Sequence, residues 1–183
     1  MSFVEIQARK ANGMLSGLFV CLVFGALWVW MALGFWQARP EWSFPALLAA
    51  AVLLGFWILL RRPAIRRAAE SDTRPLRSYT GLFYWTVVAL EVVAILAAVN
   101  LLGHAHRGEM IPFAVAAIVG AHFLPLAWLF RVTAYYWAGI AMVVWAGVCL
   151  LIVDRVSGAV ALGFGMGAIL WTVAIHALIR MKR

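Results

Sequence analysis

The chain is 183 residues long, 66% hydrophobic and only 12% charged, with a formal net charge of +8. Soluble domains carry about 25% charged residues, and a compact globule of this length could not hide so much apolar surface, so lipid rather than water is the solvent. The basic residues sit between or beside apolar runs, which assigns the charge to membrane topology and not to nucleic-acid binding.

Several apolar runs exceed ~18 residues and are apolar on all sides, which specifies helices rather than the ~10-residue alternating segments of a β-barrel. A helix also pairs its backbone groups within the segment, as hydrocarbon demands. Residues 1–12 form a polar lead in which Ser2-Phe3-Val4-Glu5 fits a capping box, so a short interfacial helix is expected to run into the first span. Six spans are predicted at 13–36, 44–60, 79–103, 110–130, 132–153 and 158–179. The flank of the first, Gly34 to Pro40, contains no small-x-small cleavage site, so this run is expected to stay in the mature protein. The second is the shortest and begins with Pro45 in its first turn, where a missing N–H costs nothing.

The connection 61–78 carries Arg61, Arg62, Arg66, Arg67, Arg74 and Arg77 together with Glu70, Asp72, Pro63 and Pro75. It reads as a solvated, lipid-facing basic cytoplasmic loop, or as a docking site for an acidic partner or an anionic lipid headgroup. From Met110 to Val153 the chain is apolar for 44 residues, broken only by Arg131. A single helix of that length would be ~66 Å, about twice the hydrocarbon thickness. A turn is therefore predicted at Arg131-Val132-Thr133, with Thr133 capping the next helix.

If the N-terminus is cytoplasmic, the inner segments hold 12 Lys and Arg and the outer segments hold 3, namely Arg39, Arg107 and Arg155. The expected fold class is therefore all-α: a polytopic membrane protein of six helices in one bundle, with both termini cytoplasmic. Gly163 and Gly167, Gly13 and Gly17, and Gly139 and Gly147 mark close helix approaches, within the chain or in a homo-oligomer. Trp36 and Trp42 fall at the outer interface, and Trp57, Trp128 and Trp137 at the inner one. Trp145 lies mid-span, where it either packs or lines an apolar pocket. Cys21 and Cys149 lie inside apolar runs without ligand spacing and read as small core residues.

Glu91 is the one charged residue deep in a span. A carboxylate at the bilayer centre costs about 2.5–3.5 kcal/mol on insertion scales, so it needs a partner or a proton. Spans three and four are joined by a short loop centred near His106 and Arg107, and residues equidistant from that loop share one depth. Glu91 lies 15 or 16 positions before the centre and His122 15 or 16 after it. Pro125 cannot donate to the Ala121 carbonyl, which adds a free acceptor beside His122. These groups are expected to form a proton-titratable binding site near the midplane, or else to serve as interhelical glue worth about 0.6 kcal/mol each.

Thr80 and Tyr84 share the Glu91 face toward the cytoplasm. Tyr135, Tyr136, Trp145, Thr172 and His176 complete the candidate lining of a pocket open to that side. His104, His106 and Glu109 in the outer loop are weak candidates for a divalent metal. No cofactor is expected: His122 has no second His at its depth to hold a haem, and no P-loop, dinucleotide fingerprint, zinc-protease helix or nucleophile elbow is present.

Val119-Gly120-Ala121-His122-Phe123-Leu124-Pro125-Leu126-Ala127, followed by Tyr135-Tyr136 and Gly139, resembles small six-span bacterial membrane proteins of uncharacterised function. The resemblance implies a bacterial cytoplasmic membrane and brings no activity with it. The functional expectation is binding or transport of a small cation or amphipathic molecule, coupled to protons. The alternative is a non-transporting scaffold or accessory subunit that holds a partner protein. An intramembrane enzyme would need a second catalytic carboxylate or His, and the sequence offers only the distant His176.

Overall fold

The computed structural model describes residues 3–36, 52, 55–71, 80–130, 132–152 and 154–180. Helix α1 spans Phe3–Phe35, α2 Arg62–Ser71, α3 Thr80–His104, α4 Ile111–Phe130, α5 Thr133–Leu150 and α6 Arg155–Arg180. Residues 55–60 are also helical. Among the described residues, five helices are long and apolar enough to cross a membrane: α1 over Gly17–Phe35, and α3 to α6 over nearly their whole lengths. Five of the six expected spans thus have a helix at the expected place. Most of the second, 44–60, lies outside the described residues, as do Ser2, Trp42 and Arg131.

The polar lead and the first span are one uninterrupted helix of 33 residues, ~50 Å long. The stretch read as a loop at 61–78 is helical over Arg62–Ser71. Its Pro63 falls in the first turn of α2, where proline is tolerated. That proline cannot bond the Leu59 carbonyl, so the ladder is interrupted there, while the Arg61 N–H still bonds the Trp57 carbonyl at 3.1 Å and the Arg61 carbonyl accepts from the Ile65 N–H at 3.0 Å.

The turns differ in their chemistry. Between α3 and α4, His106 N–H bonds the Gly103 carbonyl at 3.1 Å and Arg107 N–H bonds the Leu102 carbonyl at 2.8 Å. This is a Schellman ending, with His106 in the left-handed position at φ 54°. Between α4 and α5 the expected cap is corrected by one residue. Val132 stands at the cap position with an extended backbone and no side-chain bond, and Thr133 is already helical. The Val132 N–H bonds back to the Ala127 carbonyl at 3.1 Å, so main-chain bonding closes the end of α4 without the threonine. Helix α6 starts three residues earlier than predicted because Asp154 caps it.

α1 packs most extensively on α6, and α4 on α5; α3 lies on α4, α5 on α6 and α2 on α1. Glycines make the closest approaches. A Cβ on Gly139 would stand 2.6 Å from the Gly120 carbonyl oxygen, and one on Gly167 would stand 2.9 Å from the Gly25 carbonyl oxygen. Without a hydrophobic drive between helices in lipid, such close backbone contact supplies the dispersion that holds them. The main core draws chiefly on α1, α4, α5 and α6, joined by Ile58 and by Ile65 of α2, with Met142, Leu162 and Met166 fully buried. A smaller cluster of Val87, Leu126 and Leu129 joins α3 to α4.

Candidate functional site

Helices α3 and α4 form an antiparallel hairpin, and each turns one stripe to the other. On α3 the stripe is Tyr84, Val87 and Glu91, at i, i+3 and i+7; on α4 it is His122, Leu126 and Leu129, at i, i+4 and i+7. The apolar members form the small cluster, and the Tyr84 ring lies 6.2 Å from that of Phe130. One step further from that end the stripes turn polar. Glu91 is the twelfth of 25 residues in α3 and His122 the twelfth of 20 in α4, so both lie near mid-helix.

The structure brings these two side chains together. His122 Nδ1 stands 3.3 Å from Glu91 Oε2, with 11% of the His122 side chain and 19% of the Glu91 side chain exposed. The contact has ion-pair distance without hydrogen-bond alignment, and Nδ1 is buried with no aligned partner. The Val87 carbonyl, one helical turn from Glu91, lies near the imidazole without an aligned hydrogen bond. A carbonyl and an ionised carboxylate both only accept. A protonated imidazole therefore matches an ionised Glu91, and a neutral one matches a protonated Glu91. Each state is net neutral as a pair, and they differ by the position of a single proton. Sequence reasoning finds the acid and the imidazole but not the Val87 carbonyl, because a main-chain group carries no residue-type signal.

The remaining candidates divide. Pro125 lies inside α4, three residues past His122. Tyr84 is on the α3 stripe; of the Thr80 side chain nothing is described. Tyr135 packs edge-on against Phe123 with ring centroids 5.6 Å apart, and its hydroxyl crowds Gly17 of α1. It thus ties the first turn of α5 to α1 beside the small cluster. Tyr136 is exposed.

Trp145 turns away from the pair. Its Nε1 donates to the Ala161 carbonyl at 3.1 Å and its indole lies against Gly165, which makes it a packing residue between α5 and α6. Thr172 and His176 stand exposed on α6. A cleft of about 350 Å³ lies between the end of α1 and the start of α6, lined by Phe35, Trp36, Val156, Ser157, Val160 and Ala161, and Glu91 does not contribute to it.

Among the described residues no three His, Cys, Asp or Glu side chains converge as a metal site. His104 Nδ1 lies 2.7 Å from the Asn100 carbonyl in its own helix, and His106 serves as the turn residue of the Schellman ending. Cys21 and Cys149 are buried free thiols.

Long apolar helices joined by short turns, with a carboxyl and an imidazole paired between two of them, define a helical membrane protein. The chain belongs to a family of unknown function, DUF7010, whose match runs over residues 3–180. No curated protein and no solved structure matches it.

Proposed function

We propose that the protein binds or transports a small cation or an amphipathic cation at a proton-titratable site built on Glu91 and His122. The observation that carries this reading is the 3.3 Å approach of the two side chains midway along the α3–α4 hairpin. A carboxyl is costly at that depth, and a neutral polar pair would hold two helices together without it. Exchange of one proton for one cation keeps the site electrically balanced: the cation binds Glu91 as the proton leaves.

The same reading places the protein in a bacterial cytoplasmic membrane. It has six spans, the sixth supplied by 44–60, and keeps both termini and the basic segment 61–78 on the cytoplasmic side, beside anionic headgroups. The 12-to-3 distribution of basic residues supports that orientation.

The test uses purified protein in liposomes with an entrapped pH dye and an imposed proton gradient, challenged with sodium, potassium and ethidium. Cation-driven proton flux is expected from the native protein and is expected to vanish in Glu91→Gln and His122→Ala. Both variants should stay monodisperse, because an interhelical polar contact averages only about 0.6 kcal/mol in a membrane. Flux that survives both substitutions removes the site from consideration. Loss of folding in both assigns the pair to helix packing. A second protein that co-purifies in stoichiometric amount, with no flux, favours the scaffold alternative.

A further inference from the structure

The amphipathic helix α2 offers a second site of a different kind. Its buried side rests on α1 through Ile65, which is 2% exposed. On the other side Arg62, Arg66 and Arg67 are all exposed, and at 100° per residue they span one continuous face that also carries Glu70. Arg67 Nε donates to the Pro63 carbonyl at 3.4 Å. Arg62 and Arg66 have no carboxylate partner among the described residues. Next to this face the Arg61 guanidinium lies 5.8 Å from the centre of the Trp57 ring, a cation–π contact.

The position of this face decides what it meets. The helical stretch 55–60 before α2 exposes Phe56, Leu59 and Leu60, apolar side chains that suit acyl chains. Arg67 lies seven residues past Leu60, ~10 Å along a helix. The headgroup layer is about 5–8 Å deep on each side of the hydrocarbon, and arginine side chains reach back several ångströms toward it. With Leu60 at the hydrocarbon edge, the four guanidiniums reach the level of the lipid phosphates.

We infer that the exposed arginine face of α2, continued by Arg61 on Trp57, is a binding surface for anionic phospholipid. The phosphate would sit on Arg62 and Arg66 and the acyl chains on Phe56 and Leu60. The surface prefers a lipid to a free phosphate because half of it is apolar. It rests on the proposed setting of 61–78 beside anionic headgroups, but not on the Glu91–His122 site, because it lies on other helices and needs no transport.

Native mass spectrometry of the delipidated full chain in detergent, titrated with dioleoylphosphatidylglycerol, tests this. Dioleoylphosphatidylcholine and glycerol 3-phosphate are the comparison ligands. Saturable binding of the phosphatidylglycerol is expected, weakened about fivefold per arginine and on the order of a hundredfold in Arg62→Gln/Arg66→Gln/Arg67→Gln. The corresponding lysine triple variant should keep most of it. Equal binding of phosphatidylcholine, equally tight binding of glycerol 3-phosphate, or unchanged affinity in the glutamine variant overturns the inference. A circular dichroism spectrum of the glutamine variant checks that it remains folded.

Discussion

Asp154 accepts hydrogen bonds from the first turn of α6: from the Val156 N–H at 3.2 Å, the Ser157 N–H at 3.0 Å and the Ser157 hydroxyl. The Ser157 hydroxyl foremost, and then the two N–H groups, hold its carboxyl below the usual carboxylate range. A group whose acidity is strengthened by folding contributes stability above its unfolded pKa of about 3.9 and loses it as pH falls through the lowered folded value. Melting temperature should therefore fall on acidification below pH ~4 through this cap. Asp154→Asn keeps an acceptor but should abolish that part of the acid sensitivity. Equal acid sensitivity of the two proteins in a thermal melt would remove Asp154 from the account. Beside it, Arg155 Nη1 donates to the Leu150 carbonyl at 2.5 Å, so two consecutive residues finish α5 and start α6. The Asp-x-x-Ser spacing was available as a cap signal. Hydropathy alone does not register that spacing and places the start of the span at 158.

Among the elements, α4 and α5 meet where glycines face each other. A Cβ on Gly139 would meet the Gly120 carbonyl and the Phe123 Cβ, at 2.6 and 3.1 Å, and the nearer of these is backbone that cannot swing aside. Gly139→Ala should destabilise the protein by about 1–3 kcal/mol, as overpacking does. Gly147 lies two turns on with open space around its Cα, and Gly147→Ala should be tolerated or slightly stabilising. A detergent unfolding titration separates the two, and equal loss in both variants would contradict the packing. The Gly163 and Gly167 pair faces α1 and is consumed by the α1–α6 contact, where a Cβ on Gly167 would also crowd Val29. The small-residue motif thus has its partner within the chain, which spacing alone left open between intramolecular packing and oligomerisation.

At the scale of the whole molecule, α1, α4, α5 and α6 share one core, while α3 is joined to it through α4. The polar pair therefore sits at the seam between a well-packed body and a helix with little else to hold it. Only Val87 of α3 is buried, and Leu82, Trp85 and Leu101 are among its exposed side chains. In a bilayer those exposed side chains suit lipid, while Ile95 packs α3 against the main core. The expected topology is testable at the same scale. Reporter fusions at the N- and C-terminus should both be active on the cytoplasmic side, and one inserted at Arg107 should report from the opposite side. A terminus reporting outside would break the even number of spans.

Hydropathy determined the helices at 13–36, 79–103, 110–130, 132–153 and 158–179 to within a few residues, because in lipid each segment must satisfy its own backbone and needs no neighbour to exist. The depth of Glu91 and His122 was also legible, since a short turn makes the two strands of a helical hairpin keep step. Which faces meet was decided only by packing. The rotation of each helix about its own axis leaves little trace in segments that are apolar nearly all round, and the facing of Glu91 and His122, the Trp145–Gly165 contact and the exposed setting of His176 all follow from it. The helix at Arg62–Ser71 belongs to the same class: two prolines and six arginines in 61–78 suggested a loop, and its contact with α1 through Ile65 needed the assembled fold to be seen.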